Sequence, residues 1–374
     1  MIKVLHVIGS LNHGGVEKWL LSLSRHINRT EVHFDFCCLS GEKGEYADEI
    51  LKLGFNVYPC KVSLNIIKFY GNFKRLVRDG QYDVIHSHVH LFSGLIVSLA
   101  KLYGVPIRVA HSHTTVTMKP KGIYRVFYGI IMRYLLAKCA TLMLGVSRES
   151  LLGLKWKTRD PSRFRIVYCG IDVDFFERMH DYIAVRRQHG IPTAATVIGH
   201  VGRLTLAKNH QFLFEIFREY RKLEENTWLL IVGSGELSEK LRDVVNGLEL
   251  KNVVFAGAQQ DIPGYLYAMD CFVFPSLWEG LPVSVVEAQA SGLPCLCSDR
   301  ITEEVVVVPD LVRFASLDDG GSLWARKIQD MLNSRAIDGR EAKNLIKNSK
   351  FSIRTNARIL EELYKRELAE GSNK

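Results

Sequence analysis

Short apolar runs alternate with longer stretches of helical spacing from the first residues onward. Ile2–Ile8 leads through a Gly14-Gly15 turn into Val16–Ile27, where Trp19, Leu20, Leu23 and Ile27 share one stripe. The strand signal returns at Val32–Leu39, Asn56–Cys60, Val84–Ser87, Ile107–Ala110, Leu142–Val146 and Arg165–Tyr168, with helices at Phe92–Tyr103 and Val126–Lys138 among the intervening segments. The pattern then restarts. Val197–Val201, Thr227–Val232, Asn252–Ala256, Cys271–Phe274 and Pro294–Cys297 read as strands, separated by helical segments such as Gln211–Leu223 and Leu237–Leu248. Strands alternating with helices imply parallel sheets covered on both faces. Two consecutive doubly wound α/β domains are therefore expected, joined through the polar stretch Asp172–Thr196, which ends in Gly190 and Pro192. Phe351–Leu368 reads as a final helix, with Ile353, Ala357, Leu360, Leu363 and Tyr364 at helical spacing.

Length supports two domains, because 374 residues exceed what one core serves. With 47% hydrophobic and 24% charged residues, the composition is that of a globular protein, and no run approaches the ~18–20 apolar residues of a membrane span. The opening apolar run is short, interrupted by His6, and reads as a strand rather than a signal peptide. A net charge of +9 favours anionic partners without choosing among them. Eight cysteines in apolar runs, with no C-x-x-C pair, read as reduced buried thiols and point to a cytoplasmic location.

Three loops carry chemistry. Asn12-His13-Gly14-Gly15-Val16-Glu17 lies between a strand and a helix, where small residues let amides approach an anion; it lacks the third glycine of a dinucleotide fingerprint. Gly202-Arg203-Leu204-Thr205-Leu206-Ala207-Lys208-Asn209 again follows a strand, and its two cations could both turn toward one diphosphate, with Gly233-Ser234-Gly235 closing the next strand. The third runs from Pro275-Ser276 through Glu279-Gly280-Leu281-Pro282 to Glu287. Pro282 suits the first turn of a helix, which puts Glu279 in the preceding loop and Glu287 more than a turn inside. Two such carboxylates can accept hydrogen bonds from several sugar or ribose hydroxyls.

At these residues, together with Ser291-Gly292-Leu293-Pro294, the chain resembles the retaining GT-B glycosyltransferases of glycosyltransferase family 4 over nearly its whole length. The resemblance implies two Rossmann-like domains facing across a cleft, an acceptor domain over 1–180 completed by a crossover helix within 351–374, and a nucleotide-sugar donor domain over 181–350. It implies that Arg203 and Lys208 grip the donor diphosphate, Glu287 the ribose, and Glu279 the transferred sugar, with Gly280 and Leu281 offering amides. Gly15 and Gly14 would face the donor phosphate or acceptor, and the base would lie against the loop from Gly257 to Pro263. UDP is the family-weighted nucleotide. The family's active-site histidine follows the strand Ile107–Ala110, for which this chain offers His113 first and His111 second.

Alternating histidines at His86-Ser87-His88-Val89-His90 and His111-Ser112-His113 raise the question of a metal. No Asp or Glu stands beside them and the family needs none, so no metal and no cofactor beyond the donor is expected. Retention could proceed by double displacement or by same-face attack as the nucleotide diphosphate departs; the lack of a separate nucleophile favours the second. The acceptor is expected to be a saccharide or a polyprenyl-linked saccharide in bacterial surface polysaccharide synthesis. Met118–Lys138 mixes Lys119, Lys121, Arg125 and Arg133 with Ile123, Phe127, Tyr128, Ile130, Ile131 and Tyr134, which suits an anionic membrane surface on the inner face of the plasma membrane as well as an ordinary buried helix. The rival function is a nucleotide-sugar epimerase or hydrolase on the same fold. No nucleic-acid motif is present, so nucleic acid is not an expected partner.

Overall fold

The computed structural model describes residues 1–12, 14–63, 66–114, 122–154, 161–334 and 338–371. His13 and the Met118–Lys121 part of the basic-apolar segment lie outside the described residues. The chain divides into two compact units, one formed by 1–170 with 353–374 and the other by 171–352.

The first unit is built on seven parallel strands, β1 (Ile2–Ile8), β2 (Val32–Cys38), β3 (Asn56–Pro59), β4 (Val84–Ser87), β5 (Ile107–Ser112), β6 (Leu142–Gly145) and β7 (Phe164–Ile166), in the order β3-β2-β1-β4-β5-β6-β7. Strands buried on both faces read as near-continuous apolar runs, as β1 and β6 do, whereas β4 is buried throughout but ends in His86 and Ser87. The second unit has six parallel strands, β8 (Thr196–Val201), β9 (Thr227–Val232), β10 (Val253–Gly257), β11 (Cys271–Phe274), β12 (Cys295–Ser298) and β13 (Val312–Ala315), ordered β10-β9-β8-β11-β12-β13. Its core gathers Phe214, Phe217, Leu229, Ile231, Trp324 and Ile328 between sheet and helices.

In both sheets the order reverses beside the first strand, at β1/β4 and at β8/β11. Crossover connections leave these neighbours in opposite directions, which opens a crevice at their carboxyl ends. The loops singled out by sequence all leave these strands.

Three details differ from expectation. β13 was not anticipated: it is four residues long and only its two end positions are buried, too little for a periodic signal. β5 runs two residues past Ala110, so His111 lies inside the strand and His113 just beyond it. Asp172–Thr196 is not plain linker, since it holds the helices Val173–Phe176 and Tyr182–Gln188. Arg186 of the latter is buried and donates to the carbonyls of Ala268, Thr193 and Ala195 and to Asp270, tying the segment to the second unit.

The last helix, Ile353–Gly371, belongs to the first unit. Ile353, Ala357, Leu360 and Tyr364 are buried along one face. Asn356 Oδ1 accepts from Trp19 Nε1 at 3.0 Å and from the Gly170 amide at 2.5 Å, so one side chain joins three segments. The eight cysteines are all unpaired thiols, seven of them buried.

Candidate active site

The loop after β8 and the loop after β11 meet directly, for the Leu277 amide donates to the Ala207 carbonyl at 2.8 Å. Their side chains meet as well. Lys208 Nζ lies 2.6 Å from Glu279 Oε1, both side chains only 13% exposed, and the ammonium sits 4.6 Å from the centroid of the Phe274 ring. A lysine and a carboxylate at this depth hold each other more firmly than a surface pair, and removing either takes from the other a counter-charge where water screens little.

Glycine leaves room where these loops crowd, most of all at Gly233. A Cβ on Gly202 would stand 2.9 Å from Lys208 Cε, and one on Gly233, whose φ is +135°, only 2.0 Å from the Gly202 carbonyl oxygen. Gly233-Ser234-Gly235 thus packs backbone to backbone on the Gly202–Leu204 turn, with the Leu204 amide donating to Ser234 O at 3.0 Å. Gly257 ends β10 with φ +73° and accepts from the Gly233 amide at 2.8 Å, which joins the third loop to the other two.

Arg203 is exposed on the same turn as Gly202. The helix after β11 covers Val283–Ala290, so Pro282 precedes its first residue instead of occupying the first turn. Glu279 stands in the loop and Glu287 is buried within the helix, one turn in. Gly280 and Leu281 form the bend between them. In the first unit, Gly14 precedes the helix Gly15–His26 and Gly15 opens it; a Cβ on Gly15 would meet nothing within 4 Å.

The histidines form a structure that no single strand reveals. His6 on β1, His86 and His88 on and after β4, and His111 and His113 on and after β5 gather their rings on one face of the sheet, beneath Trp19 and Tyr364. One chain of bonds has a determined proton order. His111 Nε2 lies 3.3 Å from the Val167 carbonyl, which can only accept, so Nε2 carries the proton. His111 Nδ1 is then an acceptor for His86 Nε2 at 3.2 Å, and His86 Nδ1 accepts from the Tyr364 hydroxyl at 2.6 Å. The second chain runs from Cys169 Sγ to His113 Nδ1 (3.4 Å), His113 Nε2 to His88 Nδ1 (2.9 Å), and His88 Nε2 to His6 Nδ1 (2.9 Å). Burial, reinforced by mutual repulsion, pushes the pKa of every member down, to about 3 for His6 and His111, so the rings are neutral. His88, His111 and His113 also offer nitrogens within 4.8 Å of one another, as do His6, His86 and His88. Those nitrogens are already engaged in hydrogen bonds to one another, to Cys169, to Tyr364 or to Val167, except His6 Nε2.

Sequence reasoning missed His6, Tyr364, His200 and His210. The available signal was alternation on adjacent strands, but only strand order and register bring the rings together.

The profile of glycosyl transferases group 1 matches residues 181–351, and that of Glycosyltransferase Family 4 matches 13–175. EpsF of Bacillus subtilis (strain 168), which carries a glycosyltransferase name, is 32% identical across 93% of this chain and 91% of its own. This chain belongs to glycosyltransferase family 4. The family member from Escherichia coli named UDP-Gal:alpha-D-GlcNAc-diphosphoundecaprenol alpha-1,3-galactosyltransferase is 28% identical over 80% of this chain and 79% of its own. The fold matches that of Anabaena HepE, crystallised in complex with UDP-glucose, with a TM-score of 0.79 at 18% identity over 98% of this chain and 100% of that one. The protein is thus a glycosyltransferase with the GT-B pair of Rossmann-like domains. Because the family profiles cover both units, the carboxylate–lysine contact at the β8/β11 crevice and the glycine turn after β1 fall within family-matched sequence.

Proposed function

We propose that this glycosyltransferase moves a sugar from a UDP-sugar, with retention of configuration, to a polyprenyl-linked or free saccharide during bacterial surface polysaccharide synthesis. The observation that carries the donor site is the Lys208–Glu279 pair, brought together at the strand-order reversal where α/β sheets bind nucleotides. Lys208 and the exposed Arg203 supply positive charge to a departing diphosphate; Glu279 accepts hydroxyls of the transferred sugar, Glu287 those of the ribose, and the Gly257 turn receives the base. Gly280 and Leu281 offer amides beside them, and Gly14-Gly15 offers the donor or acceptor an uncrowded helix start. His113 is the better candidate for the histidine near the reacting carbon, since it follows the strand and is half-buried, while His111 is fully buried within it. In this reading the acceptor attacks from the face the diphosphate leaves, and a diphosphate oxygen takes its proton. Two cations do the neutralising, so no metal is needed.

The relative from Escherichia coli is named for a UDP-galactose donor and a diphosphoundecaprenol-linked acceptor, and HepE was crystallised with UDP-glucose. Both support the choice of nucleotide, and the name of the first supports the acceptor class. A panel of nucleotide sugars tested for thermal stabilisation checks it: a UDP-sugar at 100 times its Kd should stabilise its unit by about 2.7 kcal/mol, equally with EDTA present. A shift with GDP- or ADP-sugars alone, or one that vanishes on chelation, refutes this part of the reading.

A membrane-facing role for the helix Ile123–Cys139 belongs to the same proposal. Only Gly129 and Leu136 of it are buried, whereas Tyr124 is 87% and Phe127 57% exposed, with Ile123, Ile131 and Tyr134 also open. That favours a surface role over an ordinary core helix. Arg125 and Lys138 are exposed beside these groups, while Arg133 is held at the Gly153 and Gly129 carbonyls. Cations flanking apolar rings match an anionic lipid surface. Among the described residues no helix is long and apolar enough to cross a membrane. Co-sedimentation with vesicles containing phosphatidylglycerol should be strong and should fall at least about tenfold in a Tyr124→Glu/Phe127→Glu variant, since each ring contributes up to ~1.5–3 kcal/mol when buried. No binding by the unaltered protein would remove this assignment.

A further inference from the structure

Lys208 has a second neighbour prepared for its ammonium. His200 on β8 is fully buried, and its Nδ1 lies 2.9 Å from the Val273 carbonyl. That carbonyl only accepts, so Nδ1 carries the proton. Burial and the nearby cation push the ring's pKa well down and keep it neutral. Nε2 is therefore a bare acceptor, buried, and without a hydrogen-bond partner among the described residues. An unmatched buried acceptor is destabilising, because it has given up its bond to water. The ring has little freedom to turn toward another partner, for it lies nearly parallel to Phe274 and Phe272 with centroids 5.4 and 6.3 Å away. A phenylalanine would fit that stack without the cost.

The lone pair and the lysine border one small space. The point at which a Gly202 side chain would begin is 3.2 Å from His200 Nε2 and 2.9 Å from Lys208 Cε. His210, 2% exposed and the first residue of the helix after Lys208, stands edge-on to His200 at 5.0 Å, and neither of its ring nitrogens has a partner among the described residues. The lysine thus sits among a carboxylate, an aromatic face and two neutral imidazoles.

We infer that His200 is a positioning residue for Lys208: when the donor diphosphate binds, the ammonium turns one N–H to His200 Nε2 and is held facing the diphosphate. An ammonium has three N–H groups, enough for the imidazole, a phosphate oxygen and a residual contact with Glu279. The inference rests on Lys208 being a diphosphate ligand. Gly202 is the residue that leaves room for the turn.

Calorimetric titration of UDP into the full chain tests it in a double-mutant cycle. His200→Phe should weaken UDP binding about tenfold, the cost of one hydrogen bond to a charged donor. His200→Gln, which retains an acceptor, should stay within about threefold of the parent. In a Lys208→Ala background, His200→Phe should change nothing further, because the partner it positions is gone. Unchanged binding in His200→Phe, or an equal loss in both backgrounds, overturns the inference; the second outcome would make His200 merely structural. If His200→Phe does not fold, His200→Leu takes its place in the cycle. If Lys208→Ala binds UDP like the parent protein, the donor-site reading itself fails.

Discussion

Lys208→Ala and Glu279→Ala should each lower sugar transfer by about 10²–10³-fold or more, the scale seen when one group that stabilises transition-state charge is removed. The two losses arise differently. Lys208 acts on the leaving group, so its loss should fall on kcat and on nucleoside diphosphate affinity together. Glu279 touches the sugar, so Glu279→Ala should retain UDP binding while losing turnover of the UDP-sugar. Glu287→Ala should mainly raise the donor Kd, because a ribose contact is present before and during the reaction alike. Each single variant takes from its partner, only 13% exposed, the counter-charge at 2.6 Å, which costs up to ~3–5 kcal/mol. Melting curves must therefore accompany the kinetics, and the double variant should be more stable than the worse single one. Steady-state assays with a UDP-sugar and a polyprenyl-linked acceptor, read beside those curves, decide the matter. Parent-like activity in both single variants would remove the proposed donor site.

The parts of that site differ in how visible they were beforehand. Glu279, Gly280, Leu281, Pro282 and Glu287 are local: an apolar run ends, a Glu-Gly-Leu-Pro bend follows, and a helix begins, so their relative placement is fixed within nine residues. Only the role of Pro282 shifted, by one position. That Lys208 would reach Glu279, 71 residues away, was not legible, because it depends on β11 pairing with β8 and on the backbone bond between Leu277 and Ala207. Sheet order is set by packing that no local window contains. The same holds in the first unit. Histidines at alternate positions on β4 and β5 were evident, yet their joining His6 and Tyr364 depends on which strands are neighbours and on the last helix packing over them. The proposed preference for His113 over His111 rests on two extra residues of strand, a distance below what apolar periodicity resolves. β13 shows the other limit: it depends on pairing with β12 more than on its own pattern.

Acidification should destabilise the first unit steeply between about pH 6.5 and 5. Five histidines there, the buried His6, His86, His88 and His111 and the half-buried His113, have pKa values below the ordinary 6.5, two of them at about 3. The unfolded chain takes up their protons as the pH falls through 6.5, and the folded chain does not. Stability is thus fully present above the unfolded value and is lost as the pH falls toward the folded ones. At about pH 5.5 each such ring costs about 1.4 kcal/mol, so five approach ~7 kcal/mol, comparable with the ~5–15 kcal/mol that holds a domain together. Among the described residues the rings bond to the Cys169 thiol, the Tyr364 hydroxyl and the Val167 carbonyl, Trp19 closes the face, and the carboxylate of Glu17 acts on the Cys169 thiol. Among the described residues the second unit has only His200 and His210 in comparable burial, both with lowered values, so its melting should respond less. Calorimetric scans from about pH 7.5 to pH 5 should therefore separate into two transitions, with the more acid-sensitive one shifting least in a His6→Phe/His88→Gln variant. That variant removes two of the five proton acceptors and should flatten the slope by about two protons, or ~2.7 kcal/mol per pH unit. Melting that is flat across this range would show that the cluster takes up protons in the folded state, and the neutral hydrogen-bond order assigned to it would be wrong.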